Sequence, residues 1–565
     1  MTAWHLGLST SGHDPALALV NEDGQVAFAE ATERHLQDKR AWGVVPDHVS
    51  HLAAALRDAG VDPGDGIAVA TSWASVKADL GREVHDALLP ARDTRWMQGL
   101  QARMQDSAGE SLWRLGFAET RPETRRFDHH LCHAVTACYF TQVEAATCLV
   151  IDGEGDVGAV SCYRMERRRL RRLWRSWGPG SLGTFYGWLT GLCGFDWREG
   201  EEWKVMGLAA YGSADPDLVA TLERLLIVDR GRLRFADPDV IVEVRKAVEA
   251  QRRMPRDDVM RAADLAAAGQ AAYAHLADQI LSAVAGQDDM LILSGGCALN
   301  SSYNGTIAGR LGFRKVRVPP CPADDGNAIG AALLSWMQER GDGRIPYGGG
   351  SPYLGAHADG RRVEACRKAA TRGLQVAELG GASASVVAGL LAEGQIIGVM
   401  RGRAEFGPRA LGNRSILADP RGAGMKEAIN ARVKGREPYR PFAPVVPEAR
   451  ADAWFERVAP SPYMSMTLPW RRQMAERVPA VVHEDGTGRL QTVTPEKVPW
   501  LSDLVDAFER KTGVPVVLNT SFNIMGKPIL HSVEDAMGLL MTTELDAVLI
   551  EDVLVQKPSS PEKDV

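Results

Sequence analysis

A strand, polar loop, second strand, tight turn and third strand occur in succession twice in this chain, and that repetition limits the possible fold more than any other feature. In the first copy, Trp4–Ser9 and Ala16–Val20 are short apolar runs, Asn21–Gly24 is a turn, and Gln25–Glu30 follows. The loop between the first two runs carries His13 and Asp14, and a helical stretch spans Pro46–Ala59. In the second copy, Ala146–Ile151 runs into the glycine-rich loop Asp152–Asp156, then into Ala159–Tyr163 and Leu170–Trp177. A hairpin sheet with one apolar face has to bury it against a second layer. Two copies predict a duplicated α/β fold whose lobes face each other across a cleft. Two later strands also end in site-like loops: Met290–Ser294 reaches Gly295-Gly296, and Val316–Pro320 leads to Asp324-Asp325-Gly326.

A chain of 565 residues exceeds what one hydrophobic core supports. The break is expected in the Gly- and Pro-rich stretch 341–353. We expect a first domain over 1–345, a second α/β domain over 346–556, and a polar, disordered tail over 557–565. In the second domain, Ser383–Glu393, Met425–Val433 and Leu501–Lys511 read as helices. Ile396–Met400, Val514–Leu518 and Ala547–Ile550 read as strands. Apolar residues at 45% and charged residues at 24% place the chain among ordinary globular proteins. A net charge of −7 argues against nucleic acid as a partner. The arginine-rich run 167–175 is expected to be an edge strand and turn with solvated side chains. Eight cysteines without a CxxC pair read as reduced, mostly buried thiols. With no apolar run near the ~18 residues a membrane span needs and no signal-peptide pattern, the expected location is the cytoplasm, with no membrane partner.

Four groups of residues carry chemistry. His129 and His133, four apart, share one helix face. Together with the strand-end carboxylates Asp152 and Asp325 they form a candidate site for Fe(II), Mn(II) or Zn(II) holding phosphate oxygens. Gly295 and Gly296 allow close approach of a ligand, and Asn300 can bond a ribose or base. The loop Gly200–Gly212, with Lys204, concentrates glycines, acids and aromatic residues beyond what a surface loop requires. In the second half, four arginines fall within Arg401–Ser415, three more cations within Lys434–Phe442, and Asn519–Asn523 follows a buried strand. Cations braced by Pro and Gly beside hydroxyl and amide groups predict a dianion pocket, since Arg forks bind phosphate in bidentate fashion and Lys adds a point charge.

With these residues in view, the chain resembles the O-carbamoyltransferases of the NodU/CmcH type over nearly its whole length. The matching motifs are HHLCH at 129–133, EEWKVMGLAAYG at 201–212, GGCALN at 295–300 and DDGNAIGAAL at 324–333. They continue with EFGPRALGNRSI at 405–416, KGREPYRPFAP at 434–444 and NTSFNIMGKPI at 519–529. The resemblance implies an actin-like, TsaD-like first domain that binds ATP and metal, and a YrdC-like second domain that binds carbamoyl phosphate. It implies that carbamate released from carbamoyl phosphate attacks ATP, giving carbamoyladenylate, from which an acceptor hydroxyl takes the carbamoyl group.

Carried over by motif, His129, His133, Asp152 and Asp325 would hold a divalent metal, iron being usual, with Mg(2+) accompanying ATP. Arg409, Lys434, Arg440, Ser521 and Asn523 would hold carbamoyl phosphate, with Lys434, Arg440 and Ser521 acting in catalysis. Gly295, Gly296, Asn300 and Lys204 would line the nucleotide pocket, and His13 would be the general base for the acceptor hydroxyl. The chain departs from the family pattern at Pro15, where small residues including Ser are usual, at Cys297 for Val and at Lys527 for Glu. The implied acceptor is a small molecule with a free hydroxyl, of antibiotic, polyketide or sugar type. Two other readings share parts of this pattern. One is a tRNA threonylcarbamoylation enzyme, which the net charge of −7 disfavours. The other is a non-catalytic nucleotide-binding regulator, which would have no reason to keep every cation of the second-domain pocket.

Overall fold

The computed structural model describes residues 4–74, 87–178, 180–286, 288–370 and 373–558. The tail expected to be disordered lies outside the described residues from 559 onward. The chain is an α/β protein that divides into two compact units, Met1–Pro352 and Tyr353–Val565.

The first unit is built on two five-stranded mixed sheets. One contains β1 (Trp4–Ser9), β2 (Ala16–Asn21), β3 (Val26–Ala31), β4 (Ile67–Thr71) and β5 (Thr124–Arg126), in the order β3-β2-β1-β4-β5. The other contains β6 (Ala145–Ile151), β7 (Val160–Glu166) and β8 (Arg169–Arg175). A small separate hairpin, β9 (Leu226–Asp229) and β10 (Arg232–Phe235), precedes its last strands β11 (Met290–Ser294) and β12 (Lys315–Arg317). Its order, β8-β7-β6-β11-β12, repeats the first. In both sheets the first three strands pair antiparallel and the last two join in parallel.

Small residues set how closely the layers approach. The helix Asn327–Arg340 crosses β1 where Gly7 lies, and a Cβ at Gly7 would sit 2.0 Å from the Ala328 carbonyl oxygen. On its other side, a Cβ at Gly330 would sit 2.2 Å from the Cys132 carbonyl oxygen in the helix His129–Tyr139. Thr136 of that helix also donates to the Gly326 carbonyl at 2.8 Å. Backbones this close leave no room for a larger residue, and they fix the loop before one helix against the start of the other.

The edge strand β8 and its turn match the expectation for the arginine run, but one of those arginines is not solvated. Arg168 is fully buried, and its guanidinium donates to the carbonyls of Cys138, Thr141, Val143, Ile345 and Pro346. Its positive φ of 62° turns the side chain inward, where five N–H donors meet carbonyls at a helix end and a loop. All eight cysteines are free, and six of them are buried. No helix among the described residues is long and apolar enough to cross a membrane.

The second unit contains a nine-stranded mixed sheet. Its strands are β14 (Gln375–Glu378), β15 (Ile397–Met400), β17 (Arg414–Ala418), β18 (Ala443–Pro447), β19 (Met466–Pro469), β20 (Thr487–Val493), β21 (Val517–Ser521), β22 (Ala547–Ile550) and β23 (Val553–Gln556). They run in the order β14-β23-β22-β15-β17-β21-β18-β20-β19, while β13 (Tyr353–His357) and β16 (Arg403–Glu405) form a separate pair. Helices Ser383–Ala392 and Pro499–Thr512 pack together with Val387, Leu391, Leu504 and Phe508 buried.

Candidate functional site

In the first unit, four buried side chains converge: His129, His133, Asp152 and Asp324. The helix His129–Tyr139 begins at Asp128, whose carboxylate accepts from the Leu131 N–H and caps the first turn. One turn apart, the two histidines present their Nε2 atoms 3.3 Å from each other. Asp152 follows the last residue of β6; its Oδ1 accepts from the N–H groups of Gly153 and Gly296 at 2.8 and 2.9 Å. That leaves Oδ2 facing the imidazoles, 3.2 Å from His129 and 2.9 Å from His133. Asp324 brings Oδ1 to 3.6 and 3.4 Å from the same two nitrogens.

The expected ligand Asp325 is not part of this group. Asp324 and Asp325 occupy a single 3-10 turn, Asp324–Gly326, which turns neighbouring side chains to different sides. Asp325 instead accepts from the Gly326 N–H at 2.9 Å, and burial, then the nearby Asp14 carboxylate, push its pKa up to about 7.

The donor set fits a divalent transition metal. Two imidazole nitrogens and two carboxylate oxygens, all within 4.8 Å of one another, match the hardness and charge such an ion needs. His129 Nδ1 lies 3.2 Å from the Ser72 carbonyl, so Nδ1–H donates there and Nε2 keeps its lone pair for the cluster. Trp73 stacks on the same ring at 4.1 Å and fixes its plane. Burial opposes charge on both imidazoles, yet the two carboxylates hold the pKa of His129 well above the ordinary value and raise that of His133. Against the same burial, the imidazoles hold the Asp324 carboxyl well below its usual range.

His13 stands beside this cluster, with Nε2 3.9 Å from Asp324 Oδ2. Arg40 grips Asp14 through Nε at 3.2 Å and Nη2 at 2.8 Å. Burial would raise the Asp14 pKa, but the Arg40 guanidinium and His13 hold it far below the usual range. His13 Nδ1 lies 2.8 Å from the ionised Asp14 Oδ2 and 3.0 Å from Arg40 Nη2; in the tautomer whose Nδ1–H donates to the carboxylate, Nε2 is a proton acceptor.

The GGCALN loop makes close contacts within the protein itself. A Cβ at Gly295, where φ is +89°, would lie 2.3 Å from the Ile151 carbonyl oxygen, so glycine is required there by strand contact. Gly296 orients Asp152 through its N–H. Asn300, expected to meet a ribose, is committed internally: Oδ1 accepts from Tyr303 N–H and Gln270 Nε2, and Nδ2 donates to Gln270 Oε1. It caps the helix Ser301–Ile307, a short polar residue's ordinary use at that position. Lys204 is buried and paired with Glu201 at 2.6 Å, with the Phe195 ring 5.3 Å away.

In the second unit, the chain expected to be helical over Met425–Val433 is an α-helical turn, Met425–Ala428, continued by a π-helical turn, Ile429–Lys434. The wider turn carries Lys434 inward, as π-bulges at functional positions do. Its ammonium donates to Asn523 Oδ1 at 2.7 Å, to the Asn523 carbonyl at 3.0 Å and to Ser521 Oγ at 3.3 Å. Ser521 ends β21, and Met525 N–H donates to the Lys434 carbonyl, tying the loop to the lysine.

Around Lys434 lie Arg436 and Arg440, and beyond them Arg409 and Arg489. Burial, reinforced by neighbouring cations, depresses the pKa of Lys434, Arg436 and Arg489; burial alone depresses that of Arg409. Glu437 offsets part of this, 3.3 Å from Arg440. Among the described residues no carboxylate forms an ion pair with Arg409, Arg436 or Arg489. Buried nitrogens of Arg436 (Nη2) and Arg489 (Nε) lack a hydrogen-bond partner there. Crowded cations of this kind are stabilised by an anion with several oxygens.

Arg489, on β20 between Gly488 and Leu490, escaped sequence reading because nothing basic lies beside it in the chain. Conversely, three of the four arginines in 401–415 are structural. Arg414 is fully buried against carbonyls, Arg403 donates to the Leu354 and Gly355 carbonyls, and Arg401 pairs with Asp552 at 2.7 Å. Only Arg409 of that run joins the cation cluster.

Comparison with known proteins agrees with this division. The family model for the carbamoyltransferase N-terminus matches residues 4–333, and that for the carbamoyltransferase C-terminus matches 388–557. A Synechocystis sp. relative, the uncharacterized protein sll1178, is 30% identical over 99% of this chain and 97% of its own length. Nodulation protein NolNO of Sinorhizobium fredii is 36% identical over 77% of this chain and 64% of its own length. Nodulation protein U of Rhizobium tropici is 28% identical over 96% of this chain and 95% of its own length.

Proposed function

Because the chain belongs to the carbamoyltransferase family and is an enzyme of carbamoyl transfer, we propose that it activates carbamoyl phosphate with ATP and carbamoylates a hydroxyl of a small molecule. The observation that carries this reading is the cation cluster of the second unit, buried Lys434 with half-buried Arg409, Arg436, Arg440 and Arg489. One phosphate dianion does not need five cations; a carbamoyl phosphate beside a nucleotide triphosphate does. There, water cleaves carbamoyl phosphate to carbamate and inorganic phosphate. A carbamate oxygen then attacks the α-phosphorus of ATP, and pyrophosphate leaves. Lys434, Ser521 and Asn523 would orient the donor, and the arginines would stabilise charge on the phosphoryl oxygens.

The resulting carbamoyladenylate is consumed in the first unit. The repeated five-stranded topology there supports an actin-like, duplicated fold, and the second unit is read as YrdC-like. His129, His133, Asp152 and Asp324 would hold a divalent transition metal ion, iron by family resemblance, whose charge would draw phosphate oxygens to the site. The acceptor hydroxyl oxygen attacks the carbamoyl carbon, its proton passes to His13 Nε2, and AMP leaves. Asp14 and Arg40 fix the His13 ring for that step.

Pyrophosphate release should require both ATP and carbamoyl phosphate. Lys434→Ala and Ser521→Ala should each slow it roughly 10- to 150-fold, the loss of a hydrogen bond to a charged group. ADP and phosphate as the only nucleotide products would refute the scheme.

A further inference from the structure

Beside His13 the first unit carries a wall of tryptophans that the chemistry above does not use. Trp42 meets the His13 ring edge at 5.1 Å, Trp96 at 4.7 Å and Trp197 at 6.3 Å, measured between ring centroids. These residues come from three distant parts of the chain. Trp42 follows the turn Lys39–Ala41, Trp96 lies on the helix Ala91–Ser107, and Trp197 opens the turn Trp197–Glu199.

The wall is rigid. Trp42 Nε1 donates to the Arg198 carbonyl at 2.7 Å, and Arg40 sits 5.1 Å from the Trp42 ring while donating to the Trp197 carbonyl at 2.9 Å. It is also open, because Trp96 is 42% exposed and Trp42 and Trp197 are only half-buried. An aromatic core cluster would be closed. A fixed, open aromatic surface next to a proton acceptor gives up little entropy when a flat partner settles on it.

The charges around the wall narrow the partner. Asp14 is held by Arg40, Asp196 by Arg198 at 2.8 Å, and Asp93 by Arg92 at 3.5 Å. Glu202, also on this side, is raised in pKa by burial. Three of the carboxylates around the wall are therefore already paired with arginine and a fourth is held toward the neutral form, which weakens the pull on the ammonium groups of a polycationic acceptor.

We infer that Trp42, Trp96 and Trp197 form the acceptor subsite, and that it takes a neutral ring whose C–H face packs on indole while a ring hydroxyl reaches His13. This rests on the proposed role of His13 as the base. A deoxy-sugar and a hydroxylated macrolactone share that chemistry.

The test is titration calorimetry of the full chain with a methyl 6-deoxyhexoside, a hydroxylated macrolactone and the polycation kanamycin. At least one neutral probe should bind, and tighter than kanamycin does; which one identifies the source of the ring. Trp96→Ala should weaken that binding five- to tenfold, and Trp96→Phe should restore most of it. Trp96 is exposed enough for both variants to fold, which circular dichroism checks. Tighter binding of kanamycin, no binding of either neutral probe, or unchanged affinity in Trp96→Ala would overturn the assignment. Pyrophosphate release by the unmodified chain is measured in parallel. Its absence would sink the adenylate scheme while leaving the subsite result readable.

Discussion

Asp324 and Asp325 are the same residue one peptide apart, and only the first reaches the two imidazoles. Composition places carboxylates in this loop but says nothing about which one the 3-10 turn aims inward. Asp324→Asn removes a charged oxygen from the donor set, so metal retained after exhaustive dialysis should fall at least tenfold. Asp325→Asn should retain metal within a factor of two, because its carboxyl bonds to its own turn; elemental analysis of both variants decides it. Magnitudes of ~10- to 100-fold follow even from loss of a supporting contact to a metal ligand. Arg489 is the opposite case, a site residue with no local signal. Arg489→Ala should raise the KM for carbamoyl phosphate or ATP roughly tenfold or more, the cost of one charge-assisted contact. Equal KM values for both substrates would remove it from the site. His129, His133 and Asp152 were legible because helix spacing and strand ends are local properties. The capping role of Asn300 was not legible, because a capping amide and a ligand-binding amide look alike in sequence.

Most of the strands expected from apolar runs and turn residues begin and end within two residues of where those signals place them, since both are set by neighbours in the chain. Val514–Leu518 is later than expected by three residues at each end, starting instead at Val517. The π-helical turn Ile429–Lys434 was not legible, because its widened hydrogen-bonding depends on Lys434 being drawn toward Ser521 and Asn523. Arg168 was misread for the same reason, its partners lying as far off as Pro346. The closest packing in the first unit was equally hidden: Gly330 lets the helices Asn327–Arg340 and His129–Tyr139 touch at the Cys132 backbone. That contact holds the Asp324 turn against the histidine pair. Gly330→Ala places a methyl where only 2.2 Å is open, and should destabilise the first unit by about 1–3 kcal/mol, as overpacked cores do. It should also reduce metal retention, because the helices must separate. A variant with unchanged melting temperature and metal content would show that this contact does not set the site.

Two compact units imply two cooperative melting events, each answering to the buried groups inside it. His5 gives the first unit a distinct response to acid. It is 2% exposed, and its Nδ1 lies 2.9 Å from Ser335 Oγ. Arg125 also donates to that hydroxyl, which still has its own proton to give to an unprotonated His5 Nδ1. Burial, opposed by Glu339 and aided by Arg125 and Arg340, lowers the His5 pKa from 6.5 to about 4. Above pH 6.5 neither folded nor unfolded chain protonates this ring, and the stability it contributes is complete. Between 6.5 and 4 the unfolded chain takes a proton that the folded one refuses, so stability falls as pH falls. At pH 5 the loss is about 2 kcal/mol, or roughly 3 °C in the melting temperature of a unit this size. In His5→Asn the amide can still bond Ser335 without titrating, so acidification from pH 7 to pH 5 should lower the first transition less than in the unmodified chain. The second transition should respond identically in both proteins. Scanning calorimetry at the two pH values separates the transitions, and equal shifts of the first in both proteins would mean that His5 takes up its proton as readily folded as unfolded.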